Sequence, residues 1–351
     1  MSSTESDIFN GWAGTGKGKP LERMQLSLRR WDEDCVDINI THCGVCASDL
    51  HCLDQDDQWG PTDYPCVVGH EIVGVVARVG KNVSRFKVGD RVGVGAQCTS
   101  CHECDECNNH RENLCPNFGM TYNARWPNGD KTYGGYADKW RGDHRFVFKI
   151  PDHLSSEVAA TFFCAGITSY SPLKRTGVNE DSVVGIMGIG GLGHYGILWA
   201  KAMGAKVVAI STGDRKRNVS YELGCDDFID STNPDDMARY EKKFTHILCT
   251  GCSPDFQWST YLNLIRGNGY FLNVNAPAWE LPPMPPFMML MAQVFIQGSC
   301  LGSPVEIEEM LKFAEQKNVR PWITMFSMKD VNKVLEDFRA GKPRFRFVLE
   351  N

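Results

Sequence analysis

The stretch Ser182-Val-Val-Gly-Ile-Met187, Gly188-Ile-Gly190-Gly191-Leu192-Gly193 decides the fold of this chain. An apolar run of strand length passes straight into a glycine-rich turn. His194 to Met203 follows with helical composition, and Gly204 is placed to end that helix. Lys206-Val-Val-Ala-Ile210 is then a second buried strand. Strand, glycine-rich turn, helix and strand make a βαβ unit of the dinucleotide-binding type, because the glycines let backbone and helix N-terminus approach a pyrophosphate. The runs Thr245–Cys249 and Gly269–Asn273 extend the parallel sheet.

Upstream the character differs. Val36-Asp-Ile-Asn-Ile40 alternates apolar and polar residues, Glu71–Val79 is a β-branched run, and Val88–Val94 reads as a further strand broken by glycine. No helical period stands out in the first 150 or so residues. Many short strands with glycine-rich turns predict a barrel or sandwich. A helix start at Ser155–Ala160 marks the change of regime. The last residues hold a helix, Pro304 to Gln316, and a closing strand, Arg344 to Leu349, that returns to the first domain.

The chain has 351 residues, enough for two domains, with ordinary globular composition and a net charge of −6. That balance argues against a nucleic-acid or anionic-membrane binder. No apolar run is long enough to span a membrane, and no secretory signal opens the chain. With 15 cysteines, an odd number, the thiols read as reduced and the location as cytoplasmic.

Four of those cysteines are spaced two, two and seven residues apart: Cys101-His-Glu-Cys104-Asp-Glu-Cys107, then Cys115. This pattern suits one tetrahedral zinc, whose binding would order a stretch poor in apolar residues. Free thiols or an iron–sulfur cluster are the competing readings. A four-thiolate zinc has no open position, so this ion is structural and the chemistry lies elsewhere.

Three more fragments bear metal-ligand residues: Cys43-Gly-Val-Cys46-Ala-Ser48-Asp49-Leu-His51, Gly69-His70-Glu71 and Cys164-Ala-Gly-Ile-Thr168. With the cysteine cluster, Gly190-Gly-Leu-Gly-His194 and Arg344-Phe-Arg-Phe347, they make the chain resemble a zinc-dependent medium-chain alcohol dehydrogenase over nearly its full length. Within that superfamily it is most similar to the NADP-dependent cinnamyl alcohol dehydrogenase-like group, including fungal broad-specificity aldehyde reductases. The resemblance implies an α/β architecture: a GroES-like β-rich catalytic domain (residues 1–156 and 304–351, with a structural zinc lobe at about 98–118) and a Rossmann domain (157–303). It implies two zinc ions, the catalytic one held by Cys46, His70 and Cys164, a set known for catalytic zinc. Asp49 would accept a hydrogen bond from the His70 ring. Glu71 would be either a transient ligand or a salt-bridged structural carboxylate. Cys43 reads as a buried neighbour. Ser48 and His51 would pass the hydroxyl proton to solvent.

At the end of the second strand of the βαβ unit stands Ser211, followed by Thr212-Gly-Asp214-Arg215-Lys216-Arg217. A serine and a basic cluster, where NAD enzymes carry an acid, suit a 2′-phosphate, so the cofactor is expected to be NADP(H). Gly188, Gly190, Gly191, Leu192 and Gly193 face the cofactor, with Thr168 and Arg344 added by resemblance. Asp214 is discordant and is expected to point outward or pair with an arginine.

Family alignment lines the substrate pocket with Trp59, Cys98, Phe118, Met120, Cys300 and Leu301, mostly apolar, favouring aromatic or medium aliphatic aldehydes. The implied reaction interconverts primary alcohols and aldehydes by hydride transfer with the substrate oxygen on zinc, and the implied assembly is a homodimer. The competing readings are a polyol, threonine or other secondary-alcohol dehydrogenase and a non-catalytic zinc- and nucleotide-binding protein.

Overall fold

The computed structural model describes residues 7–55, 60–277 and 279–351. Two compact units are present. One takes the chain up to Ile167 with Gly302–Gln316 and Trp322–Asn351, and the other takes Thr168–Leu301 with Lys317–Pro321.

The first unit is built on a seven-stranded sheet. Its main path runs Ile323–Ser327, Arg346–Glu350, Cys35–Gly44, Glu71–Val79, Arg91–Val94, Val147–Lys149, and Lys139–Asp143 also pairs with Cys35–Gly44. The long antiparallel ladder sets Gly44 opposite Glu71 and Cys43 opposite Ile72. The C-terminal strand pairs antiparallel with Cys35–Gly44, Val348 facing Gly44, so the last residues of the chain complete this sheet.

Two sequence expectations need correction here. The strand expected at Val88–Val94 starts only at Arg91. Lys87 to Asp90 is a turn: the Asp90 amide donates to the Lys87 carbonyl, and its carboxylate accepts from the Lys87 amide. A helix, Ala47–Asp54, also lies where no helical period was evident. Its buried face is Asp49, Leu50, Cys52 and Leu53. An aspartate and a cysteine hide that face from any count of apolar residues.

The second unit is an all-parallel six-stranded sheet in the order Asp227–Asp230, Lys206–Ser211, Val183–Met187, Phe244–Cys249, Ile265–Asn273, Phe295–Gly298. The central strands are covered on both faces, so they read as continuous apolar runs: every residue of Phe244–Cys249 is buried. The chain runs outward from Val183–Met187 in one direction, then returns to its other side at Phe244. That reversal is a topological switch point, where α/β sheets bind ligands beyond the strand C-termini. The turn Gly188–Gly190 lies at this point, and its helix begins at Gly191.

Candidate active site

The cysteine lobe stands on a short ladder, Gln97–Thr99 against Gly119–Met120. Its sulfurs approach one another closely: Cys101 to Cys107 3.9 Å, Cys104 to Cys107 3.6 Å, Cys104 to Cys115 3.8 Å and Cys115 to Cys101 3.5 Å. Zinc–sulfur bonds of about 2.3 Å at tetrahedral angles put sulfurs roughly 3.8 Å apart. Four sulfurs all within 4.8 Å of one another suit a single ion and leave no room for a multi-iron cluster. Backbone amides already face the thiols: Cys101 and Asn117 donate to Cys115 Sγ at 3.4 and 3.3 Å. The amides of Glu103 and Cys104 draw the Cys101 thiol down to about 6, toward the thiolate a metal needs. His102 ties the lobe to the body through Asp143, Nε2 to Oδ2 3.2 Å.

The second constellation is Cys46, His70, Glu71 and Cys164, whose ligand atoms also lie within 4.8 Å of one another. They come from three pieces of the first unit. Cys46 is the N-cap of the helix Ala47–Asp54. His70 and Glu71 open the strand Glu71–Val79, and Cys164 follows the turn Thr161–Phe163. Cys46 Sγ and Cys164 Sγ are 3.8 Å apart, again the tetrahedral zinc edge.

His70 is buried, yet its Nε2 has no hydrogen-bond partner, and neither has Glu71 Oε2. Buried polar atoms are ordinarily satisfied, so an orphaned imidazole nitrogen in a set with two thiols and a carboxylate marks a place for a cation. The thiols share protons unequally: the Cys46 thiol is held well below its usual range by its bond to Cys164, and the Cys164 thiol is pushed well above. Burial lowers the His70 imidazole, but the nearby Cys46 sulfur, and after it the Asp49 and Glu71 charges, overcome it and raise it to about 9. The residues present therefore fit a catalytic zinc.

Glu71 is completely buried and its Oε1 accepts from Arg346, which is buried too. Burial raises the Glu71 carboxyl to about 7, against the pull of the Arg346 charge. One carboxylate oxygen is thus in an ion pair while the other has no hydrogen-bond partner and lies against Gly44. Arg346 was missed in the sequence. Its signal was an arginine inside an otherwise apolar closing strand.

Asp49 also departs from expectation. Its Oδ1 is 3.9 Å from His70 Nδ1, beyond hydrogen-bond reach. Asp49 instead accepts from the Cys46 and Gly69 amides at 3.0 and 3.1 Å and from the Tyr136 hydroxyl at 2.9 Å. Ser48 Oγ sits 3.6 Å from Cys46 Sγ. His51 lies three residues on, one helical turn away on the same face, and both are half-buried.

In the second unit the glycine turn meets strict steric conditions. Gly188 has φ +85°, and a Cβ on Gly193 would lie 1.9 Å from the Gly188 carbonyl oxygen. A Cβ on Gly190 would meet nothing within 4 Å, so that side faces open space. Thr250 Oγ1 donates to the Gly188 carbonyl at 2.6 Å, and Ser169 Oγ to that of Leu192 at 3.0 Å. Ser211 ends its strand, and the turn after it is held by Asp230, whose Oδ1 accepts from the Gly213 amide at 2.8 Å. Asp214 pairs with Arg217 at 2.8 Å, and Arg217 lies over the Phe228 ring at 4.6 Å. The basic cluster thus divides: Arg217 is engaged in its own unit, while Arg215 is exposed beside Thr212 and half-buried Lys216. Thr168 is buried in the helix Ala165–Arg175. Arg344 is exposed and donates to the Pro343 carbonyl.

The expected pocket residues separate. Cys98 has no exposed surface and belongs to the core of the first unit, so it offers packing rather than a ligand contact. Phe118 and Met120 are half-buried in that unit, while Cys300 is exposed in the second, where Leu301 has φ +56°. Trp59 lies outside the described residues.

Residues 32–152 match the family model for the alcohol dehydrogenase GroES-like domain, and residues 191–316 that for the zinc-binding dehydrogenases. The chain is 39% identical over 342 residues to 8-hydroxygeraniol dehydrogenase of Catharanthus roseus and to cinnamyl alcohol dehydrogenase 2 of Rauvolfia serpentina, in each case 97% of this chain and 94% of the relative. It is 37% identical, with the same coverage, to a probable mannitol dehydrogenase of Mesembryanthemum crystallinum. Among solved structures, a cinnamyl alcohol dehydrogenase of Sorghum bicolor superposes with TM-score 0.92 at 33% identity, covering 98% of this chain and 97% of that one. The same enzyme type from Helicobacter pylori, complexed with NADP(H), gives 0.89 at 30% identity and 98% of both chains.

Proposed function

The chain belongs to the zinc-dependent medium-chain alcohol dehydrogenases, and on that premise we propose that it reduces aldehydes, and oxidises the corresponding primary alcohols, with NADP(H). The observation that carries this reading is the set Cys46, His70 and Cys164, half-buried at Cys46 and buried at the other two, with an unsatisfied His70 Nε2. Zinc bound there supplies a Lewis acid for the substrate oxygen, and NADP(H) supplies or accepts the hydride. The protein's part is positional and protonic. Two thiolates and one imidazole leave a fourth coordination position free. Ser48, beside Cys46, takes the hydroxyl proton of an alcohol substrate or returns one to the product oxygen. His51, one turn on and partly exposed, exchanges that proton with solvent. Arg346 and Asp49 hold Glu71 and the Cys46 turn in place from behind.

Cofactor choice rests on Ser211, Thr212, Arg215 and Lys216, which present hydroxyls and positive charge where the strand Lys206–Ser211 ends in a serine rather than an acid. The pairing of Asp214 with Arg217 supports this, because a carboxylate so engaged has its charge offset near the 2′-phosphate. A homodimer is supported by the second unit: the helix Pro286–Ala292 exposes Phe287, Leu290 and Met291 by 70% or more, beside the edge strand Phe295–Gly298. All 15 cysteines are thiols, in keeping with a reducing cytoplasm, and no helix among the described residues is long and apolar enough to cross a membrane.

The test is initial rates of cinnamaldehyde and benzaldehyde reduction with NADPH and with NADH, on protein of known zinc content. Charge-assisted bonds to the 2′-phosphate should favour NADPH by at least about tenfold. Preference for NADH would refute the cofactor reading. Turnover of mannitol with NADP and none of either aldehyde would move the substrate to the polyols.

A further inference from the structure

Metal-ligating histidines are held in one orientation by a hydrogen bond to the ring nitrogen that does not face the metal. In this chain that nitrogen is His70 Nδ1, since Nε2 faces the thiols of Cys46 and Cys164 without a protein partner. Asp49, at 3.9 Å, is too far to accept from it. The group within reach is the hydroxyl of Tyr122, 3.2 Å from Nδ1. The two rings also stack, with centroids 5.4 Å apart and planes 13° from parallel. Tyr122 itself is buried, so water does not compete for its hydroxyl.

We infer that Tyr122 is the positioning residue of the catalytic metal site, accepting the Nδ1 proton of His70 so that Nε2 keeps its lone pair for the metal. This rests on the reading of Cys46, His70 and Cys164 as the catalytic zinc ligands. The direction of the bonds follows from valence. An imidazole that gives Nε2 to a metal carries its proton on Nδ1 and must donate there. The Tyr122 oxygen accepts that bond and keeps its own proton to give away. Asp49 is engaged elsewhere, accepting from the Cys46 and Gly69 amides and from the Tyr136 hydroxyl. Two metal ligands are thereby set by two different groups: Cys46 by Asp49 through its backbone, and His70 by Tyr122. Ring stacking adds a second constraint on the imidazole plane that a carboxylate partner would not supply.

Tyr136 provides the matched control. It too is a fully buried tyrosine; its hydroxyl reaches Asp49 but touches no metal ligand atom by hydrogen bond. Tyr122→Phe keeps the ring and removes only the bond to His70, while Tyr136→Phe removes a comparable buried hydroxyl from Asp49. The measurement is the rate at which a chelator strips each of the two zinc ions from the intact holoenzyme, the four-cysteine lobe serving as internal reference in the same molecule. Loss of an outer partner of a metal-bound histidine weakens metal binding about 10–100-fold. Tyr122→Phe should therefore speed loss of one zinc by about that factor and leave the other unchanged, with Tyr136→Phe close to wild type. The cobalt(II)-substituted protein should show a shifted ligand-field spectrum in the first variant only. Equal stripping rates for Tyr122→Phe and wild type, or equal acceleration in both variants, would overturn the inference. A Cys46→Ser control separates this from failure of the site itself: if that variant retains both zinc ions, the ligand assignment is wrong, and Tyr122 has nothing to position.

Discussion

The two metal sites of the first unit are made of nearly the same chemistry and are assembled in opposite ways. The lobe draws its outermost ligands, Cys101 and Cys115, from positions 14 residues apart. In the other set Cys46 and Cys164 are separated by 118 residues and meet at 3.8 Å. The lobe has little apolar content, and two of its four cysteines, Cys101 and Cys104, are partly exposed; the metal is its core. The catalytic set is the reverse. Strand pairing, the Asp49 anchor and the Glu71–Arg346 ion pair preform it, so the protein alone brings these side chains together. A site that spends its metal on folding must close its coordination. A site already folded can leave it open for chemistry.

The sharpest way to break this contrast is to remove one ligand from each set. Cys46→Ser should cut aldehyde turnover by about 10³-fold or more, since Lewis-acid stabilisation amounts to several kcal/mol. The fold should survive and the zinc content fall from two to one. Turnover near wild type would undo the assignment. Cys104→Ser should do the opposite, because local order depends on that metal. Trypsin cleavage at the exposed Arg111 inside the lobe should rise by on the order of 10²-fold, with a smaller loss of turnover. An unchanged digestion rate would mean that the lobe folds without its ion.

A gentler probe addresses preorganisation. A Cβ on Gly44 would lie 1.9 Å from Glu71 Oε2. Gly44→Ala should therefore cost up to about 3 kcal/mol in stability, read by denaturant unfolding, and should weaken the catalytic zinc while sparing the lobe. Loss of the lobe zinc instead would contradict the separation of the two sites. The smallest effect concerns the tether. His102 and Arg145 hold the Asp143 carboxyl well below the usual range, overcoming the larger opposing effect of burial. A depressed folded value means that this stabilisation is fully present above the unfolded value of about 4 and drains away as pH falls toward the folded one. Asp143→Asn should cost about 1–2 kcal/mol at pH 7, and its deficit against wild type should shrink below about pH 4. A deficit that grows on acidification would reverse the sign.

Much of this was legible in one dimension because it is local. Strand, glycine turn and helix follow one another at Val183–Ala202, and their steric reason, Gly193 against Gly188, is likewise local. Other features were illegible for stated causes. The helix Ala47–Asp54 hides behind a buried aspartate and cysteine. Lys87–Asp90 reads as strand until its turn hydrogen bonds are seen. Arg215 and Arg217 look equivalent in sequence, and only the Asp214 carboxylate and the Phe228 ring separate them. Cys98 looks like a pocket residue until its burial places it in the core.

By itself, then, the sequence determined the fold class, the cofactor turn and the closed four-thiolate lobe, because spacing along the chain carries each of them. Only the tertiary structure decided which groups surround the second metal set. Arg346 reaches Glu71 across 275 residues, and Tyr122 reaches His70 across 52. Such partners are chosen by sheet register and burial, which bring together side chains with no periodic relation in the chain, and a buried polar atom takes whichever donor or acceptor the packing places within about 3 Å.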